Sequence, residues 1–196
     1  ASLARLYFHR GELEAAAAII ERGIRNSGRR DEILAFCYKQ GYAFLGEEKL
    51  DEALVCLRIL AQHGPAKRDE VYALIGEIEL QRGEREGALQ ALQSAIDAAP
   101  DAPAPYVRKA MLQMEEDVEA AIETLQAADQ AAPGETAVLY PLAYAYGEKG
   151  LYDKAIPLYE RVMQIAREAA ATNALPEAFY LHFGSTCDLA GETNKA

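Results

Sequence analysis

The chain has 196 residues, of which 51% are hydrophobic, and its 20 basic and 31 acidic residues give a formal net charge of −11. This hydrophobic content excludes an intrinsically disordered chain. The negative balance disfavours nucleic acid as a partner, because an acidic protein repels phosphate backbones. Charged residues interrupt every apolar stretch before the roughly 20 residues that a membrane-spanning helix needs. We therefore expect no membrane insertion.

The three cysteines, Cys37, Cys56 and Cys187, are odd in number and widely spaced. Such a set is too sparse for a disulfide framework or a zinc site. We predict that all three are reduced thiols that act as small buried hydrophobic groups. Reduced thiols fit the cytoplasm and do not exclude a bacterial periplasm, so the compartment stays open.

A short phrase recurs along the chain, in which one or two turn-forming or acidic residues precede an alanine that opens an apolar helix. Successive closing alanines are separated by 37, 35, 33, 34 and 41 residues. A small residue lies about twelve positions before each alanine, and a Gly or Pro lies twelve after the first four. The phrase occupies Gly11–Ala16, Glu48–Ala53, Gly83–Ala88, Glu116–Ala121, Gly150–Ala155 and Gly191–Ala196. A period near 34 residues predicts repeated pairs of helices.

The third repeat shows why each unit should be two helices. Apolar residues fall at helical spacing in Asp69–Arg82 and again in Ala88–Ala98. Gly83 lies between these segments and suits the left-handed end of a helix. Pro100 ends the second segment, because proline lacks the N–H that a helix interior needs. A single pair leaves one apolar face bare, so neighbouring pairs must stack.

These recurring positions resemble the tetratricopeptide repeat (TPR) family. The third unit carries Tyr72, Ile75, Gly76, Ala88, Leu92, Ala95 and Pro100; the second carries Gly41, Phe44, Ala53, Leu57 and Pro65; the fifth carries Leu142, Ala143, Tyr146, Ala155 and Tyr159. The resemblance implies an all-α, right-handed superhelical solenoid of antiparallel helix pairs. One array of about five and a half repeats would span residues 1–30, 31–66, 67–100, 101–133, 134–172 and 173–196. Both ends fall inside a repeat, which predicts a fragment of a longer protein.

Three departures from the family pattern carry predictions. Glu79 stands where the third unit should hold a buried aromatic residue, and the fourth turn, at Glu116–Val118, is one residue short. No proline follows the fifth unit through Arg167–Asn173, so its second helix should be about two turns longer than the others. A last helix is predicted at Pro176–Leu189.

The sequence lacks the residue patterns of catalysis. His9, His63 and His182 lie in different repeats, and none has a metal-ligand spacing to another His or Cys. No glycine-rich phosphate loop or nucleophile motif is present. We predict no catalytic residue, no bound metal and no cofactor, and hence no enzyme activity.

The resemblance implies that the first helix of each pair lines a concave groove in which a protein or peptide ligand lies. Helical geometry projects a set of side chains into that groove. The set is Arg5, Phe8, His9, Tyr38, Lys39, Tyr42, Glu70, Ala73, Glu77, Val107, Arg108, Met111, Tyr140, Tyr144, Leu181, His182 and Ser185. We take as candidate partner-binding residues Arg5, His9, Tyr38, Lys39, Tyr42, Glu77, Arg108, Met111, Tyr140, Tyr144 and His182.

Two pairs of tyrosines, Tyr38 with Tyr42 and Tyr140 with Tyr144, have i, i+4 spacing, so each pair should form one aromatic ridge. Tyrosine is a common interface anchor. The alternative is that these rings pack between adjacent repeats. Lys39 and Arg108 could pair with an acidic group of a ligand, or be solvated or paired with Glu77. The core should hold four other aromatic residues, Tyr7, Phe44, Tyr146 and Tyr159.

TPR domains that bind heat-shock chaperones hold a peptide carboxylate with Lys, Asn and Arg at fixed groove positions. By the resemblance, those positions here hold Tyr38, Tyr42, Leu74, Ala104 and Arg108, of which only the arginine matches. This clamp is therefore expected to be absent.

The sequence thus favours a non-catalytic protein-interaction scaffold of bacterial appearance. One alternative is a structural or self-assembly module that packs on its own chain or forms a homo-oligomer. Another is a recruiting domain of a larger enzyme or cell-envelope assembly.

Overall fold

The computed structural model describes residues 2–26, 28–64, 67–169 and 175–191, and every regular element in them is a helix. This confirms the all-α fold class. The helices are α1 (Ser2–His9), α2 (Leu13–Asn26), α3 (Arg30–Gly46), α4 (Leu50–His63), α5 (Arg68–Gln81), α6 (Arg85–Ala98), α7 (Pro103–Gln113), α8 (Val118–Ala131), α9 (Thr136–Glu148), α10 (Tyr152–Glu168) and α11 (Glu177–Leu189).

Close contacts divide the chain into two compact units, residues 1–99 with α1–α6 and residues 100–196 with α7–α11. Within each unit, consecutive helices joined by short turns pack as antiparallel pairs, as short helix–helix connections require. In the second unit α11 packs on both α9 and α10. The predicted repeat boundaries stay a prediction.

The turns inside the pairs explain the recurring phrase. Gly11, Gly83 and Gly150 have φ values of 71°, 78° and 75°, the left-handed region that glycine enters without a steric penalty. The equivalent position of the second pair is held by Glu48, with φ 57°.

The fourth pair is built differently at its turn. Helix α7 ends at Gln113 after 11 residues. The Asp117 carboxylate then caps α8 by accepting a hydrogen bond of 3.0 Å from the Ala120 backbone N–H. The sequence is one residue short at this turn, and the shortening falls at the end of the first helix of the pair, α7.

Small residues sit where paired helices approach closely. A Cβ on Gly41 would lie 3.2 Å from the Cβ of Cys56, and one on Gly76 would lie 3.2 Å from the Cγ of Leu92. Around these contacts each unit buries its own apolar core, with Leu57 and Ile78 fully covered in the first unit and Leu125 and Phe179 in the second.

The sequence-based prediction for the cysteines is confirmed, whereas the prediction for the length of α10 is wrong. All three cysteines are buried, as predicted. The expected two-turn extension of the fifth unit's second helix is wrong for the described residues. Helix α10 ends at Glu168 and has 17 residues, against 14 in α2, α4, α6 and α8. Residues 170–174, like Pro65 and residues 192–196, lie outside the described part of the chain.

Glu79 is buried, with 2% of its surface exposed, although the family pattern places an aromatic residue there. Its carboxylate is bound by the Arg58 guanidinium and accepts a hydrogen bond of 2.7 Å from Arg82. Arg82 also pairs with Asp51 at 2.9 Å. Two arginines thus neutralise the buried charge where a ring would otherwise fill the space.

Candidate functional site

The α1–α3 cavity is a space of about 470 Å³ whose lining includes two candidate residues, Arg5 and His9. Arg5 donates from Nε to Oε1 of Gln40 at 3.2 Å, and its guanidinium lies 5.4 Å from the centre of the Phe36 ring. These contacts hold the cation at the rim, and the His9 ring is exposed beside it.

Phe8 also lines this cavity, but it is buried and not exposed in a groove as the helical projection predicted. Only 6% of its surface is exposed, and its ring meets Phe44 edge to face, with centroids 5.0 Å apart. Phe8 therefore belongs to the core of the first unit. Of the aromatic residues assigned to the core, Tyr146 and Tyr159 are buried, while Tyr7 and Phe44 are half-buried against it.

The α3–α5 cavity, of about 500 Å³, is lined by Tyr38 and Tyr42. The two rings lie 4.7 Å apart, and 58% and 45% of the respective side chains are exposed. Burial, with smaller effects of Tyr38 and Glu70, raises the pKa of Tyr42, so its phenol stays neutral at physiological pH. Apolar groups from three helices form the rest of the wall: Leu34, Leu60 and Val71.

The rim of this cavity carries charges of both signs. Lys67 pairs with Glu70 at 2.8 Å, and Asp31 also lines the space. The cavity therefore offers an aromatic and aliphatic surface with a mixed-charge border.

The α7–α9–α11 cavity, of about 430 Å³, lies in the second unit and joins three helices. The Tyr144 and His182 rings stack at 4.3 Å with an interplanar angle of 22°. The Tyr140 hydroxyl and His182 Nδ1 share a hydrogen bond of 3.0 Å. The described residues that line it are Met111, Met114, Glu115, Tyr140, Pro141, Tyr144 and His182.

The core behind this cavity fixes the orientation of its rings. Tyr140 meets Phe179 edge to face at 5.3 Å and lies 6.2 Å from Tyr159. Burial, followed by Glu148, raises the pKa of Tyr144 and keeps its phenol neutral. Tyr140 and Tyr144 are half-buried, so in this unit each ring both packs between helices and lines a cavity.

The remaining candidates are exposed but do not line these three cavities. They are Lys39 on α3, Glu77 on α5 and Arg108 on α7. Sequence reasoning missed Met114, Glu115 and Pro141 as lining residues. Met114 follows Met111 by three positions, which could have revealed a shared face. Pro141 gave no such signal, because a proline inside a helix is expected to break it.

Two further observations concern the described residues alone. No group of three His, Cys, Asp or Glu side chains in them is placed to hold a metal ion. Nor is any helix in that part of the chain both long enough and apolar enough to cross a membrane.

The chain matches known proteins in sequence pattern and in fold. Models of the tetratricopeptide repeat match residues 38–103 and residues 138–170, together about half of the chain. A search of curated proteins found no matching relative.

Solved structures show the same fold at low identity. A MamA protein has a TM-score of 0.65 and 18% identity over 83% of this chain and 85% of its own. MamA from residue 41 to its end, from Desulfovibrio magneticus RS-1, has a TM-score of 0.63 and 18% identity over 83% and 88%. A tetratricopeptide repeat protein from Parabacteroides merdae ATCC 43184 has a TM-score of 0.61 and 14% identity over 99% and 73%. The chain belongs to the tetratricopeptide repeat family, a family of protein-interaction scaffolds.

Proposed function

We propose that this chain is a non-catalytic scaffold whose first helices, α3 and α9 above all, bind a peptide or partner segment. The observation that carries the proposal is the Tyr38–Tyr42 ridge, two contacting rings with 58% and 45% exposure on an apolar cavity. Tyrosine brings a large contact area at little cost in rotamer entropy, which is why it often anchors interfaces.

The second unit supports the same reading. Tyr140 and Tyr144 have the same i, i+4 spacing on α9 and line a cavity of similar size. Met111 stands beside them with 59% of its side chain exposed. Met111, Tyr140 and Tyr144 line the same cavity, and a contiguous apolar surface of this kind favours a site that a partner covers.

The test starts from a random peptide-display library, from which the strongest binder of the full chain becomes the probe. Its affinity is measured for the wild type, for Tyr38→Ala/Tyr42→Ala and for Tyr144→Ala. Tyr180→Ala is the matched control, because Tyr180 is 46% exposed on α11 and lines none of the three cavities. We expect one of the cavity variants to lose at least about ten-fold in affinity, equivalent to roughly 1.4 kcal/mol.

Circular dichroism verifies that each variant keeps the helicity of the wild type. The proposal fails if both cavity variants bind the probe within about two-fold of the wild type, a difference too small for the loss of an anchor residue. It also fails if Tyr180→Ala weakens binding as much as they do.

Self-association is a second candidate, favoured by the apolar surface of α11. Leu181 and Leu189 on that helix are 63% and 66% exposed. Sedimentation velocity over a range of concentrations should then show a dimer, which Leu181→Glu/Leu189→Glu abolishes. A monomer at every concentration eliminates this candidate.

A further inference from the structure

The α7–α9–α11 cavity has a floor of aromatic rings and walls of flexible apolar side chains. Tyr144 and His182 stack, Tyr140 is hydrogen-bonded to His182, and Met111 and Met114 lie beside them. Its volume of about 430 Å³ is within the range of small-ligand sites, roughly 300–1,000 Å³. Methionine adapts to differently shaped neighbours. The interior therefore suits an apolar side chain and tolerates variation in its shape.

The charges around this cavity have one sign. Glu115 belongs to the lining, and the negative charge of Glu148 adds to burial in raising the pKa of Tyr144. Among the residues that the structure describes, no lysine or arginine belongs to the lining. Lys149, the residue after Glu148, is paired with Glu119.

Charge in the second unit as a whole has the same sign. Residues 100–196 contain 15 acidic and 7 basic residues, whereas residues 1–99 contain 16 and 13. The unit that holds this cavity therefore has a net charge of −8 (7 − 15), against −3 (13 − 16) for the first unit. Such a potential attracts cationic segments and repels anionic ones.

We infer that the α7–α9–α11 cavity takes an apolar anchor residue from a partner segment whose flanking residues are basic. This inference rests on the proposed scaffold function and names the chemistry of its partner. The anchor fills the space between the methionines and the aromatic floor, and the flanking cations are attracted by the negative potential of this acidic unit, to which Glu115 and Glu148 contribute. The α3–α5 cavity, with Lys67 and Glu70 both on its rim, offers no such preference.

The test uses three fluorescent ten-residue peptides and the full chain. The first has one leucine between lysines, the second has the same leucine between glutamates, and the third has serine in place of leucine between lysines. Fluorescence anisotropy gives each Kd. The lysine–leucine peptide should bind at least about ten-fold more tightly than either of the others, because it alone combines the apolar and the electrostatic contribution.

Two charge reversals separate a local effect from a general one. Glu115→Lys changes the cavity lining, and Glu123→Lys makes the same change at an exposed position of α8 outside the lining. We expect Glu115→Lys to weaken the lysine–leucine peptide by about five-fold and Glu123→Lys by less than two-fold, as rim charges act at short range in salt. Met111→Ala should also weaken it.

The inference is overturned if the two charge reversals weaken binding equally, if the glutamate–leucine peptide binds as well as the lysine–leucine one, or if no peptide binds. A display-selected peptide that needs Tyr144 but has acidic flanks overturns this inference and leaves the scaffold function standing. If the display-selected peptide binds the Tyr38→Ala/Tyr42→Ala and Tyr144→Ala variants as tightly as the wild type, the scaffold function itself is rejected.

Discussion

Two buried tyrosines of the second unit have hydroxyl groups in opposite situations. The Tyr146 hydroxyl accepts a hydrogen bond of 2.7 Å from Gln126. The Tyr159 hydroxyl is fully buried beside Thr186 and has no hydrogen-bond partner of normal geometry in the described part of the chain. Burial raises the pKa of Tyr159 far above its usual value, so the group stays protonated. A buried polar group without a partner costs about 1–3 kcal/mol.

We therefore predict that Tyr159→Phe leaves the free energy of unfolding unchanged or raises it by up to about 1 kcal/mol. Tyr146→Phe, the matched control, should lower it by about 1 kcal/mol, because it removes a satisfied hydrogen bond. Urea denaturation followed by circular dichroism measures both. Greater destabilisation by Tyr159→Phe than by Tyr146→Phe would contradict this reading.

Glu79 shows how a polar residue can hold a core position. Its side chain is 3% exposed, whereas those of Arg58 and Arg82 are 58% and 32% exposed. The energetic consequences of removing each partner should therefore differ. Arginines left behind can be solvated by water, but a carboxylate left behind stays in the core.

The double variant Arg58→Ala/Arg82→Ala should lower the free energy of unfolding by about 3–5 kcal/mol, because it leaves the buried charge unpaired. Glu79→Leu should change it by less than about 1 kcal/mol, since well-packed apolar residues replace buried ion pairs at little cost. Urea denaturation midpoints test both, with Arg29→Ala at an exposed pair as the control. A Glu79→Leu protein less stable than the double variant would refute the asymmetry.

Among the elements, the turns inside the helix pairs were readable from the sequence. The phrase that repeats in the sequence coincides with glycines in the left-handed region, because a helix end needs that conformation and glycine allows it. Glu48 occupies the same position in the second pair and pays a steric penalty of about 1–2 kcal/mol as a non-glycine residue.

Glu48→Gly should thus raise the free energy of unfolding by up to about 1 kcal/mol, after the larger unfolded-state entropy of glycine is subtracted. Glu84→Gly is the control, because Glu84 follows Gly83, the residue equivalent to Glu48 in its own turn, and has φ −87°. There the same replacement gains nothing and should be destabilising. Thermal unfolding measures both, and equal effects would contradict the role of the left-handed backbone.

Helix interiors were less predictable than turns. Pro141 and Pro157 lie inside α9 and α10, where local rules predict a break. Packing of α9 against α10 and α11 supplies contacts that outweigh a missing backbone hydrogen bond. Local sequence rules do not contain that tertiary contribution, and for the same reason Pro141 was not recognised as part of a cavity wall.

At the scale of the whole molecule, the period near 34 residues was enough to predict the fold, because small and apolar residues at fixed spacing allow few other arrangements. The candidate site was predicted only in part. The i, i+4 spacing was enough to predict that Tyr38 lies beside Tyr42 and Tyr140 beside Tyr144. The stacking of His182 on Tyr144 could not be predicted in this way, because it joins α11 to α9 and depends on packing between repeats. The prediction that Phe8 faces the groove was wrong for the same reason, since its burial depends on Phe44 of a neighbouring helix.

The net charge of −11 is distributed unevenly between the two units of the chain. The first unit is nearly balanced, with 16 acidic and 13 basic residues, and the second is strongly acidic, with 15 and 7. If charged groups around the α7–α9–α11 cavity contribute to partner recognition, the affinity of that cavity for a peptide should fall as the salt concentration rises. The affinity of the α3–α5 cavity should change little.

The most direct test of the account is an NMR titration of the isotopically labelled full chain with the display-selected peptide. We predict that the largest backbone amide shift changes fall on the first helices, at Tyr38 and Tyr42 of α3 or at Tyr144 of α9 and His182 of α11. Changes confined to the second helices of the pairs, α4, α6, α8 and α10, would contradict the central claim that the tyrosine-lined cavities bind the partner.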